Sequence, residues 1–171
     1  MNNKRWIATL IIALTALCLA SAAAAPDQNN AGLAFDRLKS LAGQWEATTE
    51  KGKAVTTYEL VSSGTALLER IKMAGESEML TVYHLDGNHL VLTHYCEAGN
   101  QPRMQAEPFD PASNQIRFDF VSVSNLASPN AGHMHQAVIK LEGPDEFGAD
   151  WTWQENGKAG FHAVLQYHRV R

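Results

Sequence analysis

Short runs of alternating apolar and polar residues fill the chain from Gly43 onward, broken by Gly, Asn, Asp and Ser. This rhythm constrains the fold most. Side chains that alternate every second residue suit a half-buried strand, whereas a helix repeats its apolar face every three or four. Asp86-Gly87-Asn88 separates "TVYHL" from "HLVLTHY", and Asn156-Gly157 separates "DWTWQE" from "KAGFHAVLQYHRVR". Asn and Gly tolerate the positive φ that tight hairpins need. Glu50 to Lys53, Ser62 to Gly64, Asp110 to Asn114 and Gly143 to Asp145 punctuate in the same way. The breaks define ten strands, at 43–50, 53–61, 65–73, 77–85, 89–96, 102–109, 115–122, 133–142, 146–155 and 159–170. Strands this regular, joined by turns this short, predict an all-β antiparallel meander, closed into a barrel or folded into a sandwich. Phe35, Leu38 and Leu41 recur at helical spacing, which predicts a short helical turn over Leu33 to Leu41 ahead of the first strand.

The start of the chain reads differently. Lys4 and Arg5 precede an apolar run from Ile7 to Ala20, and Ser21 to Ala25 supplies small residues. That order predicts an export signal over residues 1–25, cleaved near Ala24 or Ala25. The apolar run is short for a membrane span. The expected product is exported, periplasmic or secreted, with no stable membrane insertion. A polar segment, 26–32, is expected to be a disordered linker before a single domain at 33–171. Cleavage leaves 12 basic against 18 acidic residues, a net charge of −6, which argues against nucleic acid as a partner. It also leaves Cys96 as the one cysteine, so no internal disulfide can form.

Gly43-Gln44-Trp45 opens the first strand just after the helical turn, and the last strand carries Arg169 and Arg171. In this the chain resembles the calycin superfamily, the lipocalins, fatty-acid-binding proteins and their relatives. The resemblance spans the whole domain in topology but only these few residues in sequence. It implies a calycin-like barrel of roughly ten strands, with Gly43, Trp45 and Arg169 at its closed end and Arg169 lying over the indole. The strand number is nearer to the fatty-acid-binding or nitrobindin pattern than to the eight of a lipocalin. The histidine and loop motifs of nitrobindins find no match, so the resemblance implies no haem. "VYHLDGNHLVLTHYCEAGNQPRM" is also similar to exported bacterial proteins of no assigned activity. Read without any family, Arg169 and Trp45 suit a cation–π pair.

Strand parity picks out the candidate site. Leu90, Leu92, His94 and Cys96 share one face of the fifth strand, and His133, His135, Ala137, Ile139 and Leu141 share one face of the eighth. If the apolar face is the inner one, His94, Cys96, His133 and His135 all point inward. Counting strands up and down brings both pairs to one rim, opposite Trp45 and Arg169. The longer connections "EAGNQP" and "SNLASPNAG" lie at that same rim. Long loops at one end and closure at the other suit a ligand-binding barrel.

Three readings stay open. The four residues can line a pocket for a small, partly apolar organic ligand, with Arg103 beside the rim suiting an anionic group. Imidazole and thiolate can instead hold a metal ion or haem iron, with His94, Cys96, His133 and His135 as ligands. Or the cluster is hydrogen-bonded packing in a structural domain without a ligand. No cofactor is named by the pattern. Glu69 faces inward if Leu67 and Ile71 do, as a buried carboxylate that needs a partner. Arg117 and Asp119 fall on the solvent face, and Trp151 and Trp153 share a face that completes the core. Cys96 with His94 or His133 has the residue types of a nucleophile and base, yet nothing marks an oxyanion hole.

Overall fold

A computed structural model describes residues 30–171. The expected export signal and most of the linker lie outside the described residues. The described residues form one α-helix, α1 (Ala31–Lys39), then ten strands, with a single 3-10 turn, Ser62–Gly64, between the second and third. These are β1 (Gly43–Thr49), β2 (Gly52–Val61), β3 (Ala66–Met73), β4 (Met79–Asp86) and β5 (His89–Tyr95). They continue with β6 (Gln101–Ala106), β7 (Gln115–Ser124), β8 (His133–Leu141), β9 (Glu146–Glu155) and β10 (Lys158–Arg169). Each strand pairs antiparallel with the next, and β1 pairs with β10, so the meander closes into a barrel. Closure leaves no sheet edge unpaired. The barrel, rather than the sandwich, is the form taken.

α1 begins two residues before the expected start, so Ala31 and Gly32 belong to it. Ala34, Phe35 and Leu38 are buried in the same cluster as Leu41 and Trp45. This end of the barrel is shut by mutual satisfaction of its polar groups. Trp45 is fully buried, and its Nε1 donates to the Leu41 carbonyl at 2.7 Å. The Arg169 guanidinium lies 4.1 Å from the Trp45 ring centroid. It donates to the carbonyls of Ser40, Ala42 and Pro144 at 3.0, 2.9 and 2.9 Å. Gly43 has φ 129°, and a Cβ there would lie 2.8 Å from Arg169 Nη1, so glycine is required twice over.

Above Trp45 the interior is solid. Phe147 stacks on Tyr167 at 4.6 Å and meets Trp45 edge-on at 4.8 Å. Tyr58, Tyr83 and Phe118 complete an aromatic layer in which no member is more than 2 % exposed. The other half departs from regular pairing. Register shifts fall at Val121 between β6 and β7, at His135 between β8 and β9, and at Gly160–Phe161 between β9 and β10. All three lie toward the end opposite Trp45. An inserted residue bends its strand and re-aims the side chains beyond it.

Candidate functional site

A polar ladder crosses the interior between the two halves. Tyr58 on β2 pairs with Glu69 on β3, Glu69 with Thr81 on β4, and Thr81 with His94 on β5. Directly opposed residues of adjacent strands point to the same side of the sheet. The four side chains therefore form one row, and Glu69, Thr81 and His94 are 3 %, 0 % and 4 % exposed. Tyr58 Oη donates to Glu69 Oε1 at 3.1 Å, and Tyr83 Oη donates to Glu69 Oε2 at 2.7 Å. Thr81 stands next to Glu69 in the row, and its Oγ1 lies 3.0 Å from His94 Nδ1. His94 rests against Trp151, with ring centroids 4.9 Å apart.

The electrostatics follow from burial. Desolvation pushes the Glu69 carboxyl up, while the bonds from Tyr83, Tyr58 and Thr81 pull it down; the net direction is up. Desolvation pushes the His94 imidazole down to about 4, so the ring is neutral near pH 7. Tyr58 and Tyr83 rise well above the usual phenol range, chiefly by burial and then by the Glu69 charge. His94 Nε2 is buried and has no hydrogen-bond partner in the protein.

The ladder forms the floor of a chamber of about 40 Å³, room for one or a few water-sized groups. Met73, Met79 and Met134 line it, with Ala163 and Leu165. The same five residues also line a bowl of about 840 Å³ that opens to solvent between the turns at this end. The chamber is thus the constricted bottom of the bowl. Thioether side chains are flexible and fit varied apolar shapes, which suits a throat. Trp153 forms one wall of the bowl, stacked on Phe161 at 5.6 Å. A Cβ on Gly132 would fall 2.1 Å from the Trp153 ring, and one on Gly160 would fall 3.1 Å away, so two glycines hold the indole in place.

The rim histidines part company. Counting back from the buried Ala137 and Ile139 puts His135 and His133 inward, but the register shift at His135 interrupts the count. Met134 is the β8 side chain that reaches the chamber. His133 and His135 instead bond each other, Nε2 to Nδ1 at 3.2 Å, and pack on Phe120 at 4.9 and 4.5 Å. Burial, and then the neighbouring His133, push the His135 imidazole down. Cys96 lies just past the end of β5, half-buried in the wall of the bowl, and burial pushes its thiol up, away from a reactive thiolate. Among the described residues no three His, Cys, Asp or Glu side chains come together to hold a metal ion. The expected set of His94, Cys96, His133 and His135 therefore does not assemble, because a bulge and a strand end separate its members.

No protein-family model and no curated protein matches the chain.

Arg103, expected beside the rim, lies on the outer face of the barrel. Pro102, Met104 and Ala106 are buried on β6, so Arg103 faces out and pairs with Asp86 at 2.8 Å on the surface. Arg117 and Asp119 pair there as well, at 3.1 Å. Of the residues expected inside, His94 and Glu69 meet, through Thr81. The sequence reasoning missed Tyr58, Thr81, Tyr83 and the three methionines. The signal was present in "AVTTY" and "MLTVY", where Ala54, Thr56 and Tyr58, and Met79, Thr81 and Tyr83, alternate on one face. Val55, Leu80 and Val82 obscured it, because apolar residues also occupy the outer face.

Proposed function

We propose that this protein is an exported, calycin-like barrel that binds a small, partly apolar ligand. The observation that carries the reading is the continuous cavity: an open bowl that narrows through three methionines to a buried polar floor. The bowl's volume lies in the range of small-molecule sites; its throat is apolar, and Glu50, Lys51, Glu76 and Glu97 stand among the residues of the bowl. The far end is sealed by Gly43, Trp45 and Arg169, the arrangement that the calycin resemblance implies, which supports this superfamily as the source of the fold. The N-terminal run of basic, apolar and small residues supports export.

Two measurements test this. Native mass spectrometry of the full chain expressed in a bacterial host should show removal of about 25 residues and a bound organic mass. Uptake of a neutral apolar dye such as Nile red should be saturable and should be lost in Met134→Trp, which fills the throat while leaving the closed end alone. Absence of both organic mass and dye uptake overturns the binding reading; an uncleaved N-terminus overturns export.

A further inference from the structure

We infer that the chamber floor recognises a neutral hydrogen-bond donor, an alcohol or phenol hydroxyl, through His94 Nε2. The inference rests on the binding reading above and adds the chemistry of the ligand's buried end. It begins with the row Glu69–Thr81–His94. Two phenol hydroxyls, Tyr58 and Tyr83, donate to the two oxygens of Glu69, and Thr81 stands beside that carboxyl on the next strand. Both Glu69 oxygens accept from phenols, and a carboxylate is a better acceptor than a phenol oxygen, so we assign the single Thr81 proton to the Glu69 side. Thr81 Oγ1 must then accept from His94, which assigns the ring proton to Nδ1. A neutral imidazole protonated at Nδ1 carries a bare lone pair at Nε2. That atom is buried, has no protein partner, and belongs to a ring lining the chamber.

The lone pair sets what can bind. A hydroxyl fits the chamber, and its proton satisfies Nε2, with the apolar body in the methionine throat and bowl. A carboxylate is disfavoured, since it would be buried near Glu69 with no Lys or Arg among the residues lining the chamber. An apolar ligand with no donor leaves Nε2 unpaired. A hydrogen bond lost in this way lowers affinity by about tenfold.

The test compares three probes of one shape, 2-naphthol, naphthalene and 2-naphthoate, titrated into the full chain at pH 7.5 and followed by Trp fluorescence. Naphthol should bind about tenfold tighter than naphthalene, and naphthoate weakest. His94→Phe should keep naphthalene binding and bring the naphthol-to-naphthalene ratio near one. Thr81→Val should reduce the same ratio, because the ring proton is no longer held at Nδ1. A variant-free readout is the ¹⁵N spectrum of wild-type His94, which should show a protonated Nδ1 and an unprotonated Nε2. Equal binding of naphthol and naphthalene, or a proton on Nε2, overturns the inference while dye uptake leaves the binding reading intact. No binding of any probe, together with no dye uptake, overturns both. A ratio unchanged in both variants overturns the role of His94.

Discussion

The two ends of the barrel treat polar groups in opposite ways. At the closed end every donor of interest has an acceptor: Trp45 bonds Leu41, and Arg169 bonds three carbonyls while covering the indole. Toward the mouth, two buried side-chain atoms among the described residues lack partners, His94 Nε2 and Asn100 Oδ1. The three register shifts fall in this half too. Burying an unpaired polar atom costs about 1–3 kcal/mol, so a fold keeps one where something else can pair with it. The closed end holds the barrel together. The mouth gives up pairing and packing, and gains a cavity.

The contrast is open to measurement, and the largest effect belongs to the closed end. Trp45→Ala removes a fully buried indole and unstacks Arg169. It should destabilise the protein by about 3–5 kcal/mol in urea. A loss below about 1 kcal/mol would deny this end its structural role.

Next comes pH. His94 has its folded value near 4, below the 6.5 of the unfolded chain, so the folded state binds fewer protons between these values. Its contribution is complete above pH 6.5 and is lost as pH falls toward 4. The ceiling is about 3 kcal/mol. Glu69 runs the other way: its raised carboxyl favours folding below pH 4.5 and disfavours it as pH rises through the folded value. Glu69→Gln therefore isolates the histidine. In that background stability should fall from pH 6.5 to 4, and adding His94→Phe should flatten the profile. A slope that survives the second change would assign the titration elsewhere.

Gly132→Ala probes the mouth. Its Cβ would land 2.1 Å from the Trp153 ring, which must shift. We expect a loss of about 1–3 kcal/mol, with altered Trp fluorescence and weaker dye uptake. Unchanged uptake would remove Trp153 from the binding wall. The smallest effect is expected on the outer surface. Arg103→Ala breaks an exposed pair with Asp86 and should change stability by less than about 1 kcal/mol, with uptake unaltered.

Much of the architecture was legible in the order of residues. Ten alternating runs with turn signals specify ten antiparallel strands, and the observed boundaries stay close to those of the runs. Parity alone also puts Leu90, Leu92 and His94 on one buried face. At β8 the register shift at His135 brings Met134 to the chamber, while His133 is buried against His135 and Phe120 instead. Nothing in "HMHQAV" marks that insertion, because a bulge arises from pairing with β9, whose residues are nearby only after folding. Arg103, expected beside the rim, stands on the outer face of β6, whose buried side belongs to Pro102 and Met104.

The sequence by itself determined the class of fold, the turns, and the pairing of neighbouring strands, since these depend on local φ preferences and a period of two. Tertiary structure decided which polar residues meet. Glu69, Thr81 and His94 are each a single polar side chain in a mostly apolar run, and no local rule joins them. Register between adjacent strands sets them in one row, and barrel closure then removes the row from water. That combination sets a carboxylate, a hydroxyl and an imidazole side by side, and leaves one buried nitrogen without a partner in the protein.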